Sequence, residues 1–333
     1  MSRRLYLVTG GLGFLGASLV RSLHSAGHAV RVLDDSSRGS SARLTDLIPH
    51  IELVNADIRN GAAVRAAARG VDAVCHLAFV NGTESFYTRP AHVLEVGVKG
   101  IVNVLDACIA EGVGELILAS SSEVYQTPPR VPTDEAVPLS VPDPLNPRYS
   151  YAGGKIISEL MALNYGRERL ERVVIFRPHN VYGPNMGWQH VIPQLTTRLA
   201  QLRAGRPADG SPVPLPIQGT GKETRAFIYI EDFTRALITV IENGHHLGIY
   251  HVGTEEEVTI RDVAERIARR VGVAIAVQPG EAAIGGTLRR CPDTRKLRGL
   301  GFSPAVNLDD GLDATVAWYV QHTPGAAPSV SRT

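Results

Sequence analysis

Between Leu5 and Arg177, short apolar runs alternate with stretches in which apolar residues recur every three or four positions. The runs Leu5–Thr9, Ala29–Leu33, Ile51–Asn55, Ala73–Leu77, Glu115–Ala119 and Val173–Arg177 are of strand length. The stretches Phe14–Ser25, Gly61–Arg69, Ala91–Glu111 and Tyr151–Arg167 carry the helical period. Strands that alternate with helices in this way predict a parallel sheet covered on both faces. Ala91–Glu111 is apolar on more than one face, through Val93, Val96, Val98, Ile101, Val104, Leu105 and Ile109. Such a helix is expected to be covered on both sides, and a subunit contact is one way to cover it.

The chain changes character after Arg177. From Pro178 to Pro216 it is rich in Pro and Gly, with one helix expected near Pro193–Arg203. Gly205–Pro216 carries four prolines and predicts a loop, because Pro fits neither helix interiors nor central strands. Helices at Glu231–Asn243, Thr259–Val271 and Leu308–Gln321 then alternate with short strands. The expected fold class is α/β: a doubly wound parallel sheet over residues 1–177, with some later segments returning to it, and a smaller α/β lobe over 178–322. Residues 323–333, rich in Pro, Ala and Ser, predict a disordered tail.

Composition narrows the partners. Of the 333 residues, 44% are apolar and 20% charged, with a net charge of +1, so nothing points to nucleic acid or a membrane surface. Apolar runs such as Ala73–Val80 are far too short to span a bilayer. The N-terminal residues enter a strand with no leader pattern, which sets a cytoplasmic expectation. Cys75, Cys108 and Cys291 are scattered without metal-ligand spacing, so buried thiols are expected and no metal site.

Chemistry enters at Thr9-Gly10-Gly11-Leu12-Gly13-Phe14-Leu15-Gly16, which follows a strand and opens a helix. Gly10, Gly13 and Gly16 permit a tight turn, close approach of a pyrophosphate and helix-on-strand packing. Phe14 and Leu15 then present the positive helix N-terminus to the phosphates. Asp34 and Asp35 end the second strand, where a carboxylate accepts from the adenosine ribose and repels a 2′-phosphate. NAD is therefore expected rather than NADP, with Arg38 read as solvated loop charge. Asp57 and Ile58 are expected near the adenine edge, Asp57 being also a candidate helix N-cap. Leu77 and Ala78 flank the groove, and His76 is expected as a hydrogen-bonded strand-end histidine.

Tyr151 and Lys155, at i and i+4, lie on one face of a helix, some thirty residues after the run Ser120-Ser121-Ser122-Glu123. A free Tyr hydroxyl titrates near ~10 and is a poor base at neutral pH. The Lys155 ammonium is expected to favour the phenolate. A Ser hydroxyl would complete a proton path for oxidising a sugar hydroxyl with NAD.

With Thr9–Gly16, Asp34, Asp57, His76-Leu77-Ala78, Ser121, Tyr151/Lys155, Arg177–Pro184 and Gly219–Arg225 in place, the chain resembles an extended short-chain dehydrogenase/reductase of the nucleotide-sugar epimerase/dehydratase group. The likeness covers about Leu5 to Tyr319. It implies a Rossmann-type sheet, NAD, a nucleotide-diphosphate sugar and a homodimer through Ala91–Glu111 and Tyr151–Arg167. Aligning Val124-Tyr125 with the family pattern puts Ser121 at the catalytic Ser/Thr position, with Ser122 and Glu123 beside it. A Glu at that place is familiar from 4,6-dehydratases and UDP-glucuronate decarboxylases, where it acts once C4 is a ketone.

The resemblance also implies substrate contacts for Asn180 and Arg225, the latter on diphosphate. Arg290, in Arg290-Cys291-Pro292-Asp293, is expected on a substrate carboxylate or a diphosphate. His190, with His179, Met186 and Trp188, is expected along the sugar or base pocket. The implied function is nucleotide-sugar modification through a transient 4-keto sugar, leaning to UDP-glucuronate-type decarboxylation or 4,6-dehydration. A 4-epimerase is the alternative, and a catalytically silent NAD-sensing protein the rival from another class. Gly97 replaces a common helix Asn, Gln126 a Gly, Ala226 an Asp, and Ile284–Thr287 a common Arg-Pro-Gly-Asp.

Overall fold

The computed structural model of the protein describes residues 2–204, 211–282 and 285–323. All six expected strands form at or within a residue of their predicted bounds, the first five being β1 (Leu5–Thr9), β2 (Ala29–Asp34), β3 (Glu52–Asn55), β4 (Ala73–His76) and β5 (Glu115–Ala119). The sixth, β6, runs over Arg172–Pro178. A seventh strand, Gly248–Val252, returns from the later chain and pairs with β6, Gly248 opposite Val174. The sheet order is Gly248–Val252, β6, β5, β4, β1, β2, β3, and every pairing is parallel. The order reverses between β1 and β4. A crevice opens at the C-terminal ends of the strands at such a reversal.

Alternation along β1 builds two cores. Tyr6 and Val8 join Leu19, Val20 and Leu23 of helix α1 (Phe14–Ser25), with Phe176, Phe233 and Leu237. Leu7 joins Val64 and Ala67 of helix α2 (Gly61–Ala68), with Val104, Leu105, Val173 and Ile175 on the other face. Truncating Leu7, which is 1% exposed, to Ala would cost about 2–5 kcal/mol. A third core lies in the smaller lobe, around Leu195, Leu199, Val263, Ile267, Leu312 and Val316.

Three expectations need correction. The Ala91–Glu111 helix starts at Pro90 and is not uniform: α-helix over Pro90–Leu94, a π-helical segment over Glu95–Lys99, and α-helix again over Gly100–Glu111. The wide turn brings Gly97 against Phe79. The helix expected to begin at Tyr151 begins at Tyr149.

Within the predicted loop, Val213–Ile217 is a strand despite Pro214 and Pro216, paired in parallel with Ile275–Pro279 in a two-stranded sheet. Its alternation is the reason. Leu215 and Ile217 are buried while both prolines face out, and a strand with one neighbour needs only alternate N–H groups. Residues 205–210 of that loop, and 324–333 of the tail, lie outside the described residues; Thr323 is buried, its hydroxyl donating to Tyr319 O at 2.6 Å. Among the described residues no helix is long and apolar enough to cross a membrane.

Candidate active site

The crevice at the strand ends is a cavity of about 430 Å³, within the size range of small-molecule sites. One end is built from backbone. Gly10 has φ +71°, and a Cβ there would lie 2.8 Å from Ala78 Cα. A Cβ on Gly16 would lie 2.1 Å from the Gly10 carbonyl oxygen. No side chain fits either place, so strand, turn and α1 are held at contact distance. Gly13 precedes α1 and gives no side-chain cap, which leaves first-turn N–H groups for an anion. Phe14, Leu15, Ile58, Leu77 and Ala78 line the same end.

Asp34 is 8% exposed and accepts from Leu12 N at 3.0 Å and Ser36 N at 2.9 Å. Burial raises its pKa more than these bonds lower it. Asp35 accepts from Ser37 N and Ser37 Oγ, at 2.9 and 2.6 Å. Both line the cavity, and a glycine cradle, an uncapped helix start and two strand-end carboxylates fit NAD.

Other expected groups lie differently. Asp57 neither caps α2 nor lines the cavity: its carboxylate grips Arg59, 2.6 Å at the shortest, and Asn60 caps α2. That Arg59 pairing holds Asp57 below the usual carboxylate range. Arg38, expected in solvent, lines the cavity and reaches toward Gly82. His76 is bonded to Thr9 Oγ1 at 2.7 Å, and burial pushes it down to about 3, so it stays neutral.

The reacting end brings together Ser121, Ser122, Glu123, Tyr151 and Lys155, all lining the cavity. Ser121 Oγ accepts from Glu123 N at 3.1 Å and caps the short 3₁₀ turn Ser122–Tyr125. Tyr151 and Lys155 are 7% and 3% exposed. Burial pushes Tyr151 up to about 12, against the lowering effect of a hydrogen bond with Ser121. The expected phenolate-favouring contact with Lys155 is not the leading influence. Lys155 Nζ instead donates to Ala119 O at 2.6 Å and sits 4.1 Å from the Phe79 ring centroid. Burial draws Lys155 down to about 7, while Glu159 raises it.

Beneath the serine run lies a buried network that sequence reasoning missed. Ser120 Oγ donates to Glu159, which is gripped twice by Arg177 at 2.8 and 2.5 Å. Arg177 also reaches the Tyr125 hydroxyl, which is 2.6 Å from His251 Nε2. A signal was present: Glu159 stands one turn after Lys155, and a strand-end Arg buried in the sheet requires a carboxylate.

At the far side Glu123 Oε1 accepts from Arg290 Nη1 at 2.7 Å, and Arg148 Nη2 lies 3.8 Å from Glu123 Oε2. Burial would raise this carboxyl, but Arg290 and then Arg148 hold it below the ordinary glutamate value. Arg290 also donates to Thr287 Oγ1 at 3.0 Å. The Nε atoms of Arg290 and Arg148 are buried without a partner. Arg148 was not anticipated, although three residues before Tyr151 is the same helical face.

Arg225 sits opposite Arg290 in register, but its guanidinium is taken up by the carbonyls of Thr224 and Thr287, at 2.7 and 2.9 Å, and does not line the cavity. Asn180, Met186 and His190 do line it, Asn180 with φ +38° and its amide on Ala226 O at 2.9 Å. His179 is instead buried edge-on against His251, and Trp188 packs on Trp318 and Tyr319 outside.

Known proteins agree with this geometry. Residues 6–253 match the NAD dependent epimerase/dehydratase family. The chain is 30% identical to a dTDP-4-dehydro-6-deoxy-D-allose reductase of Streptomyces bikiniensis, across 96% of this chain and 97% of that one. It is also 30% identical to a UDP-N-acetyl-alpha-D-glucosaminuronate decarboxylase of Bacillus cytotoxicus, across 94% and 97%. A solved dTDP-glucose 4,6-dehydratase of Streptomyces venezuelae, with NAD bound, superposes with a TM-score of 0.84 at 31% identity, across 95% and 97%. The sheet is thus of Rossmann type and the cofactor is NAD. The chain belongs to the NAD dependent epimerase/dehydratase family and is an NAD-dependent nucleotide-sugar-modifying enzyme.

Proposed function

We propose that the enzyme decarboxylates a nucleotide-diphosphate-linked uronic acid of the UDP-glucuronate type through a transient 4-keto sugar. The observation that supports this most is the Glu123–Arg290 pair, with Arg148 beside it and two buried Nε donors unpartnered. One carboxylate set among arginines leaves excess positive charge for a second anion. Planar guanidinium groups bind carboxylates two atoms at a time.

NAD, held by the Gly10–Gly16 turn beside Asp34 and Asp35, would supply a reversible hydride acceptor for C4 and a positive ring that favours the Tyr151 phenolate. Tyr151 takes the C4 hydroxyl proton and later gives it back, while Ser121 aligns that hydroxyl. The 4-ketone makes the substrate a β-keto acid. Arg290, with Arg148 adding positive charge behind Glu123, orients its carboxylate; the C5–C6 bond breaks, CO₂ leaves, and the electron pair stays in the C4–C5 enolate. A proton from solvent water, polarised beside the ionised Glu123, is delivered to C5 and restores the ketone.

Dehydration would need a second group to protonate the departing C6 hydroxyl. The residue before Glu123 is Ser122, and among the described lining residues the remaining carboxylates, Asp34 and Asp35, stand at the cofactor end. Simple 4-epimerisation would use Tyr151, Lys155 and Ser121 alone and leave the Glu123–Arg290 pair without a task.

Incubation with UDP-, GDP- and dTDP-linked sugars and uronic acids, followed by mass spectrometry, tests the reading. A uronic acid should yield a product lighter by CO₂. A product lighter by water, or an isomer of equal mass, overturns it.

The same proposal places the enzyme in the cytoplasm as a homodimer. Support comes from a groove between the two long helices, lined by Asp106, Ile109, Asn164 and Tyr165, and from exposed Leu160 and Ile157 on the catalytic helix. Light scattering should give twice the chain mass; a monomer at micromolar concentration removes the dimer.

A further inference from the structure

We propose that Phe79 is a positioning residue for the Tyr151–Lys155 pair, its ring face holding the Lys155 ammonium in the charged form that the reaction uses. Phe79 follows Leu77 and Ala78 beyond β4 and lines the cavity. Its ring is lodged between two glycines. A Cβ at Gly97 would lie 2.3 Å from Phe79 Cζ, and one at Gly154 would lie 3.0 Å from the same atom. Gly97 sits in the π-helical segment Glu95–Lys99, and Gly154 directly precedes Lys155 on the catalytic helix. Both helices therefore lack a side chain where the ring enters.

The ring meets both members of the pair. Lys155 Nζ lies 4.1 Å from its centroid, and the Tyr151 ring meets it edge-on at 5.1 Å and 83°. Phe86 stacks on Tyr151 at 4.8 Å, closing the other side. The ammonium donates a hydrogen bond to Ala119 O. An aromatic face carries negative charge density, which is worth most to a cation removed from water. The other titratable groups acting on Lys155 are Tyr151 and Glu159 on its own helix and His76 on β4; burial keeps the first and last neutral near pH 7. Glu159, the Ala119 carbonyl and the Phe79 face are then the influences opposing the desolvation that draws Lys155 down.

The chain has four lysines, Lys99, Lys155, Lys222 and Lys296, so ¹³C-lysine NMR of the full protein resolves each ε-carbon. Loss of one signal in a Lys155→Met sample assigns it. Titrating that signal without substrate gives the Lys155 pKa whatever reaction the enzyme carries out, so the test stands apart from decarboxylation.

Phe79→Leu keeps apolar bulk and removes the ring; the Lys155 midpoint should fall by about one pH unit. Trifluoro-phenylalanine at position 79 keeps the shape and weakens the negative face, and should lower it by a smaller step. Gly97→Ala, which drives a Cβ into the ring position, should also lower it in the wild type but add nothing to Phe79→Leu. A midpoint unchanged in both Phe79→Leu and the fluorinated protein overturns the proposal, and leaves Phe79 as packing alone.

Discussion

The two ends of the cavity are made of different material. At the cofactor end the chain presents main chain: the glycine turn, the start of α1 and the strand-end carboxylates Asp34 and Asp35, themselves tied to backbone N–H groups. At the reacting end it presents side chains from separate segments: Ser121–Glu123, Arg148–Lys155, Arg177 below and Arg290 across. A site made of backbone is fixed by contiguous spacing and binds what the whole family binds. A site made of converging side chains is fixed by tertiary contacts, and there the chemistry of one member can differ from another.

The comparison breaks most visibly if the backbone end tolerates a side chain. Gly16→Val places a Cβ 2.1 Å from the Gly10 carbonyl, a main-chain atom that cannot move without opening the turn. NAD affinity measured by calorimetry should fall by roughly 100-fold or more, about 3 kcal/mol. Gly13→Ala is the graded control: its Cβ would meet the same oxygen at 3.1 Å, so a smaller loss with intact circular dichroism is expected. Equal affinity for Gly16→Val and wild type would remove the steric account of this end.

The contrast between the ends also explains what the sequence could convey. The glycine turn, Asp34 and the Tyr151/Lys155 spacing are local patterns, and the strands around them are continuous apolar runs, so both were legible. The seventh strand was expected only as an unplaced return from the later chain, because Gly248–Val252 joins the sheet by tertiary pairing with β6. Arg148 was hidden since its partner Glu123 lies twenty-five positions earlier, and a charged residue beside a helix start reads as solvated surface. Arg225 lies apart from the cavity: its guanidinium donates to the carbonyls of Thr224 on its own strand and of Thr287 in the segment before Arg289, contacts that no local pattern conveys. The π-helical segment at Glu95–Lys99 packs Gly97 against the Phe79 ring, a contact from outside that helix that its own sequence does not convey.

A smaller and more selective effect is expected at the reacting end, from Glu123→Gln. The amide keeps the volume but not the charge, so Arg290 and Arg148 lose their shared anion. Turnover should fall by ~10²–10³ while oxidation at C4 persists, visible as NADH absorbance that accumulates and does not decay. The stability signature has a definite sign. Burial raises this carboxyl, but Arg290 and Arg148 outweigh it and hold it below the ordinary value of 4.5. A carboxyl depressed in the folded state stabilises fully above its unfolded value, and that contribution is lost as pH falls through the folded one. The variant should therefore be less stable than wild type at pH 7, by roughly 1–3 kcal/mol, and the gap should close as pH falls below the ordinary glutamate value and through the depressed one. If turnover is unchanged and no NADH accumulates while the pH-dependent gap persists, Glu123 only seats the arginines, and the reacting end carries no chemistry beyond that of Ser121, Tyr151 and Lys155.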